Sequence, residues 1–456
     1  MLAKIFNAFV EASPVSVMAR GLAERLLDAN KLDAWFESVD SSQYTRELSF
    51  SAVFSLMSQV VCGSQKSVNA AYQLAREEVP TSIVSVYNKL KGIEVETSAG
   101  LVRYAAGEAT ALIEELEGAV PERLPGYRVK LLDGNCLAAS EHRIKPLRRT
   151  SAGPLPGKSL VVFDPALQLP IDVFPCEDGH TQERALFGAV LDTVEPDDVW
   201  IADRNFCTLG FLSGITQAQG YYVIREHKKL PFEPVPGSKL IAAGKVDTGT
   251  VHQQRVQIVN DKGKTLRLRR VKLTLKKATR DGDHIIYILT NLPVTAASAR
   301  KIAELYRGRW TIETAFQELT LHLNSEINTL GYPRAALFGF CVALVAYIIM
   351  AVLKAALRSV HGAQNIQDNF SGYYLADELS GVYRGMMITI PDSHWLVFSR
   401  LTQNQLIELL KALAGNVNLS RFQKHPREPK KPTRKRKSDK RKPHVSTARV
   451  IASEKR

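Results

Sequence analysis

Nineteen consecutive residues without a charge, Ala335 to Leu353 (AALFGFCVALVAYIIMAVL), restrict this chain more than any other stretch. A helix of that length just reaches across the hydrocarbon core of a bilayer. The chain must therefore span a membrane there or wrap a domain around the helix. The run stands alone, follows Tyr332-Pro333-Arg334, and has small residues through its first half. That pattern predicts a buried core helix, closely packed, and no membrane partner. The rest of the chain can supply such a core: of its 456 residues 45% are hydrophobic and 23% charged. These proportions exclude a mainly disordered, collagen-like or coiled-coil protein, and the length allows about three domains.

Charge is distributed unevenly. Net charge is +14, and residues 421–456 hold fifteen Lys/Arg against three acids, so the first 420 residues carry only +2. A nearly neutral body with a polycationic end points to nucleic acid or another polyanion as partner. The five cysteines are scattered and include no C-x-x-C pair. That excludes a disulfide framework or a cysteine zinc site and predicts a reducing compartment, the cytoplasm. The start, MLAKIFNAFVEASP, lacks the long apolar run and cleavage-like end of a secretory signal.

Periodicity divides the chain into four parts. Residues 1–122 read as helical, with apolar residues at helical spacing in 49–61, 68–77, 81–90 and 101–116, and with Ser67 and Thr81 as N-caps. A helical domain ahead of a catalytic one suits DNA-end binding, and equally a domain that merely packs. Residues 123–360 alternate strands and helices, which predicts an α/β fold with a mixed sheet. Strand candidates are 127–132, 159–163, 167–174, 198–202 and 221–225, with helices at 182–191 and 206–217. The segment 226–290 is almost purely β and reads as an insertion into that core. A weaker mixed region, 361–418, follows. The Lys/Arg/Pro-rich tail, 419–456, is expected to be disordered.

Three acids are distinguished by position. Asp133 ends a predicted strand, Asp203 ends another, and Glu313 lies within a predicted helix. Acids at the carboxyl ends of neighbouring strands can meet, and a helix can bring a third across them. Such a set would hold two Mg²⁺ ions, with Mn²⁺ able to substitute, for in-line phosphoryl transfer. Singly, each acid also has a plain reading: Asp133-Gly134 as a turn, Asp203 as a helix cap. On one continuous helix Tyr306, Arg309, Glu313 and Thr320 would share an arc of about 60°, beside an apolar face of Ile312, Phe316, Leu319 and Leu323. Arg309 before Glu313 is the weaker order for a helix-stabilising pair, and it suits a DNA phosphate held next to a metal-binding carboxylate.

Tyr306-x-x-Arg309-x-x-x-Glu313, within LYRGRWTIETAFQEL, resembles the Tyr-Arg-Glu-Lys signature of bacterial insertion-sequence transposases of the IS-four group. Asp133-Gly134-Asn135 with Glu141-His142-Arg143 and Leu147-Arg148, then Asp203-Arg204-Asn205-Phe206, then Thr290-Asn291-Leu292, resemble its earlier blocks in order. The resemblance covers about 125–350, and the N-terminal helices loosely. It departs at Thr320, where the group has lysine. It departs also in the β insertion, which lacks the tryptophan that stacks on a flipped base in some relatives.

The resemblance implies a ribonuclease H-like α/β fold with a β-rich insertion, preceded by the helical domain. Asp133, Asp203 and Glu313 would be the catalytic, metal-binding triad. Tyr306 and Arg309 would position the phosphate, with Arg143 and Arg148 as further DNA-binding candidates. The implied activity is metal-dependent cleavage at element ends, then strand transfer by 3′-hydroxyl attack. The partners would be double-stranded DNA, as terminal inverted repeats and target, and a second copy of the chain in a synaptic homodimer at the nucleoid. A ribonuclease H-like nuclease and a non-catalytic DNA-binding relative remain as alternatives.

Overall fold

The computed structural model describes residues 2–40, 47–137, 144–149, 154–259, 263–279, 282–425 and 445–454. Seven helices open the chain: α1 (Asn7–Ala12), α2 (Pro14–Leu26), α3 (Ala29–Val39), α4 (Phe50–Val61), α5 (Val68–Leu74), α6 (Ile83–Gly92) and α7 (Val95–Glu115). The Ser49 and Ser67 hydroxyls accept the first free N–H groups of α4 and α5. Ser82, not Thr81, caps α6, since the Thr81 carbonyl is taken by the Tyr72 hydroxyl at 2.6 Å and its N–H by the Val79 carbonyl.

The sheet begins with β1 (Arg128–Cys136), and β2 (Pro154–Leu155) lies apart from it. There follow β3 (Lys158–Asp164), β4 (Leu169–Cys176), β5 (Asp198–Ala202) and β6 (Tyr221–Arg225), with helices α8 (Phe187–Leu191) and α9 (Leu209–Gln217) between them. β1 runs antiparallel to β3 and β3 to β4, whereas β5 is parallel to β1 and β6 to β5, in the order β4-β3-β1-β5-β6. This is a ribonuclease H-like sheet, the α/β fold that the resemblance implied.

The insertion does not stand apart from that sheet. Its strands β7 (Glu233–Pro234), β8 (Ile241–Val246), β9 (Gly249–Val259), β10 (Thr265–Leu275) and β11 (Ile285–Thr290) continue it, because β11 pairs with β6. The result is one ten-stranded sheet. Alternation along each strand gives the sheet two cores. Leu131, Val199, Ile201 and Val223 face the large helical side, and Leu132, Trp200, Ala202 and Tyr222 face α8 and α9.

After α10 (Ala299–Arg307) and α11 (Trp310–His322) comes α12 (Pro333–His361), the apolar run. It is long and apolar enough to cross a membrane, yet 83% of its most apolar stretch is buried inside the protein. α12 packs against α2, α4, α6, α7 and β4. Residues 361–418 are not mixed but helical: α13 (Ala363–Asn369), α14 (Gly372–Thr389), α15 (Asp392–Arg400) and α16 (Gln403–Gly415), packed on α2 and α12.

The expected disordered tail is ordered at its end. β12 (Val445–Ser446) pairs in parallel with β2, and α17 (Thr447–Glu454) follows it. Asp178 anchors both, accepting from the Ser446 hydroxyl at 2.6 Å and from Arg449 at 2.7 Å. A buried Thr447 and this ion pair supply what the basic composition concealed. The run 426–444 lies outside the described residues.

Candidate active site

Parallel pairing of β1 with β5 ends at Leu132 opposite Ala202. The next residue of each strand is Asp133 and Asp203, so the two acids emerge side by side at carboxyl ends. β1 does not stop at the Asp133-Gly134 dipeptide as expected. It runs on to Cys136, since Asp133 to Cys136 still pair with β3. Asp203 turns out of the sheet, and its Oδ1 accepts the Asn205 N–H at 2.7 Å, capping a 3₁₀ turn over Arg204–Phe206. Asp203 thus caps this short turn, whereas the helix that follows, α9, is capped by the Thr208 hydroxyl.

Glu313 arrives on α11, but not on one continuous helix with Tyr306. The chain breaks between α10 and α11 at Gly308. Arg123 pins the break, donating to the Gly308 carbonyl at 2.8 Å and the Thr311 hydroxyl at 2.7 Å. A Cβ on Gly308 would collide with that guanidinium, so any larger residue there would displace Arg123 from the break. The break leaves Arg309 at the N-cap of α11 and Glu313 in its first turn, where the positive end of the helix dipole favours a carboxylate.

Arg309 joins the triad. It donates to Asp133 Oδ2 at 3.0 Å and forms an ion pair with Glu313. Burial works against its charge, but Asp133, Tyr306 and Glu313 outweigh it and hold the guanidinium firmly charged. Tyr306 is buried beside it, and burial pushes its phenol upward. Burial also pushes the Asp133 carboxyl up to about 6, with Asp203 and Glu313 adding to the rise and Arg309 and the Gly134 N–H opposing it.

The structure thus brings together Asp133, Asp203, Glu313, Tyr306 and Arg309. Arg148 stands exposed on a 3₁₀ turn, Lys145–Arg149, and is not among the triad's contacts. Arg143 lies outside the described residues. Thr320 is exposed, its hydroxyl donating to the Phe316 carbonyl at 3.0 Å.

Two residues of this region escaped the sequence reading. Arg123 lies far from the motif in sequence, and Gly308 was the only sign of the break that it pins. Glu183 begins a 3₁₀ turn over Glu183–Leu186, with its carboxylate directly over Gly134. Its position at the start of the helical stretch 182–191 was legible, but its proximity to Asp133 was not.

Carboxylate oxygens are the donors that Mg²⁺ and Mn²⁺ prefer, and the three acids are close enough to perturb one another. Among the described residues no three His, Cys, Asp or Glu side chains converge on one point. Instead the Arg309 guanidinium sits between Asp133 and Glu313 as an internal cation. Donor chemistry and this internal cation together fit a divalent-ion site.

Residues 125–349 match the family model described as a transposase DDE domain. The match includes Asp133, Asp203, Tyr306, Arg309 and Glu313. The candidate transposase y4zB of Sinorhizobium fredii is 26% identical over 201 residues, 44% of this chain. The chain spans about half (53%) of the length of that relative. Among solved structures, the piggyBac transposase in a synaptic complex with hairpin DNA aligns over 86% of this chain and 84% of its own. Its identity is 11% and its TM-score 0.37.

Proposed function

Because residues 125–349 match the family model described as a transposase DDE domain, we propose that this chain cuts DNA at the ends of a mobile element. It then joins the freed 3′ hydroxyl to target DNA, using Asp133, Asp203 and Glu313 as a divalent-ion site. The observation that carries the reading is the emergence of Asp133 and Asp203 from adjacent parallel strands, with Glu313 tied to Asp133 through Arg309. Two Mg²⁺ or Mn²⁺ ions, when bound, would neutralise phosphate charge and hold the attacking and leaving oxygens in line.

This chain's own residues then do the rest. Asp133, Asp203 and Glu313 supply oxygens from two strands and one helix, so the site is rigid on two sides. Arg309, set between Asp133 and Glu313, would offer its fork of donors to the phosphate beside the scissile bond. Tyr306, buried beside that guanidinium, would help to hold it in place. Duplex DNA is the substrate, and a second copy of the chain would bring the two element ends together. The Tyr306, Arg309 and Glu313 spacing supports placement in the IS-four group.

The test uses the full chain, Mn²⁺ and duplexes carrying the element's terminal repeats. Asp133→Asn, Asp203→Asn and Glu313→Gln should each abolish nicking while duplex binding persists. Nicking at the wild-type rate by any one of them removes that residue from the site. Pre-nicked ends with a free 3′ hydroxyl should be joined to a plasmid. Cutting without joining would instead select the nuclease reading.

A further inference from the structure

Arg123 stands outside the triad, in the link of residues 116–127 that carries the chain from α7 into β1. The link is itself anchored. The Gly118 carbonyl accepts from Arg358 Nε at 2.5 Å, the Val120 N–H donates to the Ala166 carbonyl at 2.9 Å, and Leu124 is buried. β1 starts at Arg128 and carries Asp133. One short, fixed segment therefore leads to the first aspartate and presents a guanidinium to the helix that bears Arg309 and Glu313.

The break that this guanidinium meets is held together loosely by its own backbone. Arg309 N–H donates to the Tyr306 carbonyl at 3.0 Å, Thr311 N–H to Gly308 at 3.1 Å and Ile312 N–H to Arg309 at 3.2 Å. All three bonds span three residues, the tighter 3₁₀ pattern whose hydrogen-bond geometry is poorer than that of an α-helix. Gly308 has φ −63° and ψ −13°, a conformation open to any residue. What its missing side chain provides is room, since a Cβ there would meet Arg123 Nη1 at 2.1 Å. Nη1 bonds the Gly308 carbonyl and Nη2 the Thr311 hydroxyl, so both terminal nitrogens are committed and the two anchors bracket Arg309. The bracketed residue is the one that reaches Asp133 Oδ2 at 3.0 Å and pairs with Glu313.

We propose that Arg123 is a positioning residue for DNA cleavage: by clamping Gly308 and Thr311 it fixes the first turn of α11, and with it Arg309 and Glu313 relative to Asp133. The proposal rests on the cleavage reading of the site. A catalytic group misplaced by about 1 Å can cost about a hundredfold in rate. Arg123→Ala should therefore slow nicking at saturating duplex by about ten- to a hundredfold. Duplex affinity should stay at the wild-type value, because both donors face the protein. Arg123→Lys, able to reach one acceptor at a time, should recover part of the rate. Thr311→Val keeps the arginine and removes one anchor, so it should slow nicking in the same direction by less. Each rate is measured well below the variant's melting temperature, which sets lost stability aside. In the metal-free protein, amide hydrogen exchange at 308–313 should quicken in Arg123→Ala while α12 stays protected.

Nicking at the wild-type rate by Arg123→Ala and Thr311→Val would overturn the proposal, even with faster exchange, and would leave Arg123 a staple of the fold alone. If Arg123→Ala does not fold, Thr311→Val decides. Asp133→Asn, assayed beside them, separates this proposal from the reading beneath it. If wild type nicks no faster than Asp133→Asn, the cleavage reading falls and this proposal with it.

Discussion

Asp133 is an acid whose surroundings disfavour its charge, and this has a measurable consequence. Its folded-state value of about 6 lies above the ordinary 3.8, so the folded protein binds that proton more tightly than the unfolded chain does. The resulting stability is fully present below pH 4 and is lost as pH rises through 6. Without metal, Asp133→Asn should therefore be more stable than wild type at pH 8, on the order of 2 kcal/mol, with the gap closing toward pH 4 in urea unfolding. Mn²⁺ binding should weaken below pH 6, where a proton competes for the same oxygens. Arg309 pulls the Asp133 value down, so Arg309→Ala should move that pH midpoint upward and slow cleavage without abolishing it. An unmoved midpoint would mean that the guanidinium does not control this acid. Thr320 invites a different comparison. The flank of α11 beyond it is a cleft of about 490 Å³ lined by Thr314, Gln317, Leu321, Tyr373, Lys424 and His425, and Lys354 pairs with Glu318 at 3.0 Å. Two lysines from other elements, Lys354 and Lys424, already stand on that flank of α11, so a further ammonium on this helix would add to the positive charge there. Thr320→Lys should be neutral or harmful in a cleavage assay, and a clear gain would show that a contact had simply been lost. Asp133 and Asp203 were legible because strand ends are marked by composition, and Glu313 because it follows Tyr306 and Arg309 at motif spacing. Glu183 was not, because nothing local records that a turn will fold back over Gly134.

Short strands with uninterrupted apolar runs were read closely: β5 and β6 fall on the expected residues. β1 was cut short because Asp-Gly favours a turn in isolation, and pairing with β3 overrides that preference. The break between α10 and α11 was hidden for the opposite reason, since apolar spacing continues through it. Helices α13 to α16 were not separated in the sequence, although α16 buries Leu406, Leu410 and Leu413 at helical spacing behind a capping box. β1 and β5, which carry the two aspartates, are also joined beneath the site. Lys130 Nζ lies 2.5 Å from Asp198 Oδ2 with both side chains buried. Removing one partner strands the other charge in the core, so Lys130→Ala should cost about 3–5 kcal/mol in denaturant unfolding. A loss below about 1 kcal/mol would mean that water reaches Asp198. At the other end of the chain, burial raises Asp178, but the Ser446 hydroxyl, the His180 N–H and Arg449 outweigh it and hold the carboxyl down at about 2. That contribution is present above pH 4 and fades as pH falls toward 2. Asp178→Ala should free β12 and α17 at neutral pH, seen as faster proteolysis near residue 445.

One hydrophobic core runs from the first helices through α12 to the last, so the N-terminal helices, the sheet's inner face and α13 to α16 are packed into a single body. The basic run is held against that body at both ends. Before it, Lys424 donates its N–H to the Asn369 carbonyl at 2.8 Å and Gln423 bridges to Phe370. After it, β12 docks on β2. Nine lysines and arginines lie between 430 and 442. Deleting the whole tail would also remove β12 and α17, so charge must be changed with the anchors kept. Replacing those nine residues with glutamine should leave folding and Mn²⁺ binding untouched. Each phosphate they neutralise contributes about 0.9 to the slope of log affinity against log salt for duplex DNA. If the run engages DNA, non-specific duplex binding across a salt series should flatten by several units in the variant, while nicking at saturating DNA persists. A slope equal to wild type would mean that the run never touches the duplex, and DNA affinity would then have to come from the folded body, whose net charge is close to neutral.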